Sequence, residues 1–132
     1  MKTALSLITL ILLPFAPPAL ADDLAGPREV PSEDIRQELR KQGQAFYLEN
    51  CAACHGESGN GKGPAAAAIK SGPKPRDFTV GKFLYGDKPE QIFHTISEGS
   101  PGTSMPSWKF MPAETRWALV FFVLSFHKKP SP

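Results

Sequence analysis

The stretch Cys51-Ala52-Ala53-Cys54-His55 decides the reading of this chain. Two thiols three positions apart, followed at once by an imidazole, make the spacing by which a c-type haem is attached. Each thiol can add across one vinyl group of the macrocycle, and His55 then lies under the iron, where a neutral imidazole nitrogen is a good axial ligand. Zinc sites and thiol oxidoreductases share the CxxC spacing, but both fit the surroundings poorly. A structural zinc site takes four Cys or His ligands, whereas this chain has two Cys and three scattered His. A thioredoxin-like pair follows a strand in a βαβ pattern, and here helix formers precede Cys51. A redox dithiol or a plain disulfide stays open as the alternative.

Upstream, Ser32 stands as an N-cap before Glu33 and Asp34, whose charge suits a helix N-terminus. Ile35, Leu39, Gln42 and Phe46 follow at helical spacing as a moderately apolar stripe, with Arg36, Arg40 and Lys41 expected in solvent. This helix should deliver Cys51 to the cofactor. Gly43 beside the stripe has two readings: a place for a second helix to cross closely, or a weak spot costing about 1 kcal/mol against Ala. Downstream, Gly56 to Pro64 is too rich in glycine for regular structure and lacks the GxGxxG or Lys-Ser/Thr signature of a phosphate cradle. Ala65 to Ile69 suggests a short helical turn, and residues 71–79 an extended segment pinned by Pro73 and Pro75. A short helix over Gln91 to Glu98, after Pro89, places Ile92, Phe93 and Ile96 on one face.

The loop Gly99-Ser100-Pro101-Gly102-Thr103-Ser104-Met105-Pro106-Ser107-Trp108 is the second candidate site. Its glycines and prolines set an irregular path that can present one side chain inward. Met105 offers a thioether, a soft ligand for haem iron, although a methionine can equally fill a core. Met111, His94 and His127 are the competing ligands. Met111 precedes Pro112, the expected first residue of the last helix, and is read as packing there. That helix runs from about Ala113 to Phe126, with Glu114 near its start and Lys128 and Lys129 past its end. Trp117, Leu119, Val120, Phe121, Phe122, Val123, Leu124 and Phe126 make it apolar nearly all round, which calls for burial or a partner. No stretch calls for a sheet.

The N-terminus carries Lys2, an apolar run from Leu5 to Leu13, prolines at 14, 17 and 18, and Ala19-Leu20-Ala21. This is the pattern of a secretory signal peptide over residues 1–21, with cleavage after Ala21. The apolar run is about half the ~20 residues that a membrane span needs. Residues 22–31 mix charge with Gly and Pro and read as a flexible arm. The remainder suffices for one domain, 32–127, with a flexible tail at 128–132. Loss of Lys2 brings the net charge from +2 to +1. So balanced a chain gives no case for nucleic acid or broad membrane attraction.

The chain resembles the small monohaem class I cytochromes c of bacteria. The resemblance rests on CAACH at 51–55, the Gly43/Phe46 pair, GTSMP at 102–106 and Trp117-Ala118-Leu119-Val120-Phe121-Phe122, and spans about residues 35–126. It implies an all-α fold around one covalently attached haem c, with the first and last helices crossing near Gly43 and Phe46 and Leu119 and Phe122 packed against them. It also implies Cys51 and Cys54 as thioethers and a backbone carbonyl of the proline segment as acceptor for His55 Nδ1. Pro73 is the first candidate for that carbonyl and Pro75 the second. Met111 stands where many relatives have a Ser or Thr cap, which leaves the cap of the last helix open.

The resulting expectation is a periplasmic one-electron carrier with His55 and Met105 as axial ligands. It would be a monomer with no membrane span after signal cleavage, and would meet redox partner proteins through an exposed haem edge. Lys62, Lys74, Lys82, Lys88 and Lys109 are candidates to ring that edge, although scattered solvated lysines would look the same. Two alternatives stay open: an electron-entry subunit of a larger reductase or dehydrogenase, and a haem enzyme or gas sensor with an open distal site, for which His94 would be the acid or base.

Overall fold

Ser32 opens the first helix as expected: its hydroxyl accepts from the Ile35 amide, and α1 runs over Glu33–Asn50 with both acidic residues in its first turn. The computed structural model describes residues 31–127; the signal peptide, all but the last residue of the N-terminal arm, and the tail lie outside the described residues. A single turn, α2 over Ala52–His55, follows α1 almost without a break, and a 3₁₀ turn occupies Pro64–Ala68. The short helix α3 spans Pro89–Glu98 and the final helix α4 spans Ala113–Phe126. Among the described residues there is no strand, and the fold is all-α.

The main packing event is the crossing of α1 and α4 at Gly43. A methyl group at that position would collide with the Ala118 carbonyl and lie 2.9 Å from Phe122 Cβ, so the missing side chain is what lets the two backbones meet. Gly43 is therefore a crossing point and not a weak spot. Leu119 and Val120 are fully buried beneath it, and Phe122 meets the Tyr47 ring at 5.1 Å between centroids.

The buried face of α1 is rotated from the one the apolar spacing suggested. Ile35 is 54% exposed, whereas Gly43 and Tyr47, one turn apart, carry the contact with α4. Arg36 and Arg40 are half-buried and both pair with Glu33, so only Lys41 of the three expected cations stands clear in solvent. α4 is buried through Arg116, Trp117, Ala118, Leu119, Val120 and Val123, which accounts for most of its apolar surface. Its N-cap is Pro112, with no side-chain cap; Met111 is buried in the core, as the sequence suggested.

Replacing Gly43 with Val should destabilise the protein by about 2 kcal/mol or more, because both neighbours are helix backbone or its Cβ and cannot swing aside. Thermal unfolding of Gly43→Val beside the exposed control Gln44→Ala, expected within about 0.5 kcal/mol of the parent, checks this.

Candidate functional site

His55 is held by two features of the loop that follows it. Its Nδ1 hydrogen-bonds the Arg76 carbonyl at 3.1 Å, and its ring stacks on Phe78 with centroids 4.6 Å apart and planes 19° from parallel. The acceptor is thus Arg76, and neither Pro73 nor Pro75 as expected. Both prolines line the same cleft, but the chain needs the extra residues to turn back under the imidazole. A donor bond at Nδ1 sets the tautomer that leaves Nε2 as a lone pair. Burial lowers the His55 pKa, which the Arg76 bond offsets in part, so the ring is kept in the neutral form that a metal requires.

The Asp77 carboxylate shapes the turn between these two contacts. It accepts from the Thr79 amide at 2.9 Å and from the Thr79 hydroxyl at 2.5 Å, and these bonds hold its pKa below the ordinary 3.8. The Phe78 amide donates to the Gly59 carbonyl at 2.7 Å, and the Gly61 amide to the His55 carbonyl at 2.8 Å, so the glycine-rich loop is stitched back onto α2. Farther along, His127 reaches back to the Thr79 carbonyl at 3.4 Å.

The thiols are presented by the junction of α1 and α2. Cys51 is the C-cap of α1, its amide bonded to the Tyr47 carbonyl, and both cysteines are free and partly buried. Burial, helped by Cys54 alongside, pushes the Cys51 thiol up to about 11. Beneath them Tyr47 is fully buried and its hydroxyl donates to the Gly56 carbonyl at 2.7 Å, tying α1 to the residue that ends α2. Burial raises the pKa of this phenol, which stays a donor.

Cys51, Cys54, His55 and Met105 all line one open cleft. A smaller apolar pocket that shares Cys51, His55, Phe78, Ile96, Met105 and Val123 with it is lined further by Tyr47 and Leu119. Met105 arrives on a loop braced from below: the Trp108 amide bonds the Ile96 carbonyl, the Ser107 hydroxyl the Ser97 carbonyl, and the Ser100 amide the Met105 carbonyl. Gly99, at φ +75°, begins that loop where a side chain would strike the Pro106 backbone. Of the competing ligands, His94 and His127 are exposed and Met111 is buried elsewhere; none lines the cleft.

These residues fit a c-type haem. A neutral imidazole with its outer nitrogen engaged, two reduced thiols beside it, and a thioether lining the same largely apolar cleft make a donor set for covalent attachment and His/Met ligation. Sequence reasoning did not anticipate the Arg76 carbonyl, the Phe78 stack, the Tyr47–Gly56 bond or the buried Arg116. A lone arginine within the apolar run of α4 was the available signal for the last.

Residues 38–123 match the protein family described as cytochrome c oxidase, cbb3-type, subunit III. The chain is 40% identical over 68 residues to the cbb3-type cytochrome c oxidase subunit CcoP of Azospirillum brasilense, covering 52% of this chain and 21% of that protein. It is 32% identical over 87 residues to cytochrome c55X of Stutzerimonas stutzeri, covering 64% of this chain and 66% of that protein. Among solved structures, a chain of the Kuenenia stuttgartiensis reducing HAO-like protein complex superposes with a TM-score of 0.68 at 34% identity, covering 78% of this chain and 48% of that one. The KustC0563 c-type cytochrome matches with a TM-score of 0.51 at 30% identity, covering 65% of this chain and 98% of that one. The chain spans about a fifth of the length of the CcoP and FixP proteins at the head of these matches.

Two outcomes test the frame of the site. Tyr47→Phe leaves the Gly56 carbonyl buried without its donor and should cost about 1–3 kcal/mol in denaturant unfolding. Because the Asp77 pKa is depressed, its turn is intact above that pKa and is lost as pH falls through it; the Thr79 amide resonance should therefore titrate with a midpoint below 3.8.

Proposed function

We propose that this chain, which belongs to the family described as cytochrome c oxidase, cbb3-type, subunit III, is a periplasmic one-electron carrier with a single haem c and His55 and Met105 as its axial ligands. The observation that carries the reading is the gathering of Cys51, Cys54, His55 and Met105 on one apolar cleft. Bound there, haem iron supplies the one-electron chemistry by cycling between its ferric and ferrous states. The chain's own part is to anchor through two thioethers, to aim His55 Nε2 by way of the Arg76 carbonyl, and to offer the Met105 sulfur from a braced loop. The apolar lining excludes water and favours the less charged ferrous state.

The enzyme reading needs an acid or base that faces the cleft. His94, the candidate acid or base, lies exposed on α3 and outside the cleft. Partners would meet the cleft mouth beside the segment from Lys62 to Lys88, where six cations stand against Asp77 and Asp87. That imbalance suits an acidic face on the partner. Lys74 on the cleft wall is bonded to the Ile69 carbonyl and Lys109 is paired with Glu98, so Lys62, Lys82 and Lys88 remain the freer candidates for steering.

A second reading, a fixed electron-entry subunit, is favoured by the relatives: CcoP is named as an oxidase subunit, and the Kuenenia chain comes from a complex. Size-exclusion of the native protein separates the two, since a carrier elutes alone and a subunit with its complex.

The exported protein should show a sulfur-to-iron charge-transfer band when oxidised and indifference to carbon monoxide when reduced. Met105→Ala should lose the band, bind carbon monoxide and fall in reduction potential. An unchanged spectrum and potential in that variant would remove Met105 from the ligand set.

A further inference from the structure

Arg116 is 5% exposed, in the first half of α4, and among the described residues no carboxylate forms an ion pair with it. A buried cation without an anion is costly unless its donors are used and its charge is faced by something polarisable. Here Nε donates to the Met111 carbonyl at 3.2 Å and an Nη to the Ser97 hydroxyl at 2.5 Å, while the guanidinium carbon sits 4.7 Å from the centre of the Phe93 ring. The other face of the arrangement is closed by Trp117, stacked on Phe93 at 4.4 Å.

Each of these partners bears on the loop that carries Met105. Met111 is where that loop enters α4, and the Met111 amide itself bonds the Trp108 carbonyl. Ser97 is the point at which the loop is fastened to α3. Its carbonyl accepts from the Ser107 hydroxyl at 2.6 Å and the Trp108 amide at 3.2 Å, and its hydroxyl, which Arg116 grips, donates to the Phe93 carbonyl at 2.7 Å. One planar fork therefore spans the far end of the loop and the helix to which its middle is tied, a geometry that an ammonium group cannot reproduce with both donors at fixed angles.

We propose that Arg116 is a positioning residue for Met105: it fixes the Gly99–Met111 loop against α3 and α4 so that the thioether is presented to the cleft at the distance and angle that ligation needs. The inference rests on the reading of Met105 as an axial ligand, and goes beyond it in assigning the ligand's strength to a residue outside the cleft. Removing the guanidinium leaves two acceptors without their donors and lets the loop that carries Met105 breathe.

The test is Arg116→Met in the haem-loaded protein, a side chain of similar reach with no donors, beside Arg116→Lys. In Arg116→Met the expected results are a weakened charge-transfer band, carbon monoxide binding to the reduced protein about tenfold or more above the parent, and faster amide exchange confined to residues 100–108. Arg116→Lys should recover part of each. A fall in thermal midpoint with band, carbon monoxide binding and loop exchange all unchanged would overturn the proposal and leave Arg116 a packing residue. Where Arg116→Met does not fold, Ser97→Ala removes the hydroxyl that Arg116 grips and should give the same changes to a smaller degree; no change in its band or its loop exchange would likewise overturn the proposal. A parent protein that already lacks the band and binds carbon monoxide would sink the ligand assignment, and the loop's amide exchange in these variants would still decide the role of Arg116.

Discussion

Everything in this structure depends on one close approach, that of the α1 backbone at Gly43 to α4 at Ala118 and Phe122. It sets the distance between the two longest helices, and with it the room beside Tyr47, Leu119 and Val123, which line a small apolar pocket adjoining the cleft. From that crossing, α1 runs two more turns to Cys51, so the position of the thiols is given by the same contact that packs the core. A side chain at position 43 would therefore act on the attachment site as well as on stability, because a helix transmits a displacement along its axis.

The walls of the cleft are irregular chain, and irregular chain must find partners for its backbone groups without the help of a ladder. Here the partners come in pairs that face opposite ways. The proximal segment bonds inward, through Arg76 to His55 and through Phe78 to Gly59, and outward, through Thr79 to Asp77 and His127. The Met105 loop is treated similarly, with Trp108 and Ser107 fastened to α3 and Met111 to Arg116. The two candidate ligands thus have little freedom, His55 at the end of α2 above the proximal segment and Met105 on its braced loop, which would suit an iron that must change charge without changing its surroundings.

The parts of this arrangement that were legible in the sequence are those set by spacing along the chain. CxxCH is a local pattern, the Ser32 cap and the limits of α4 follow from residues a few positions apart, and Met105 stands out because glycines and prolines surround it. What escaped depends on the path of the chain in space. Which carbonyl meets His55 is decided by how residues 71–79 turn, and no spacing rule separates Pro73 from Arg76. The start of the α1 face was misjudged because Ile35 outweighs Gly43 in hydrophobicity, whereas the closeness of the crossing favours the residue with no side chain; Phe46 does pack against the core. Arg116 was passed over because a cation in an apolar helix is read as a solvent-facing exception, and only the positions of Ser97, Met111 and Phe93 show that it is enclosed.

That enclosed charge also bears on the electrostatics of the fold. The cleft is largely apolar, and an apolar cleft favours the less charged oxidation state of whatever iron it holds. The Arg116 guanidinium, buried outside the cleft lining, would act in the same sense on an iron held there, since its field opposes a further positive charge and is poorly screened by water. Glu98, at the end of α3, has its pKa lowered chiefly by the hydrogen bond from Lys109, with the Arg116 charge a minor contribution. The carboxylate is thus exposed and paired with Lys109, whereas the Arg116 cation is buried. A carboxylate buried beside Arg116 would have neutralised the pair and removed this bias; a serine hydroxyl and one carbonyl accept its hydrogen bonds and leave the charge in place.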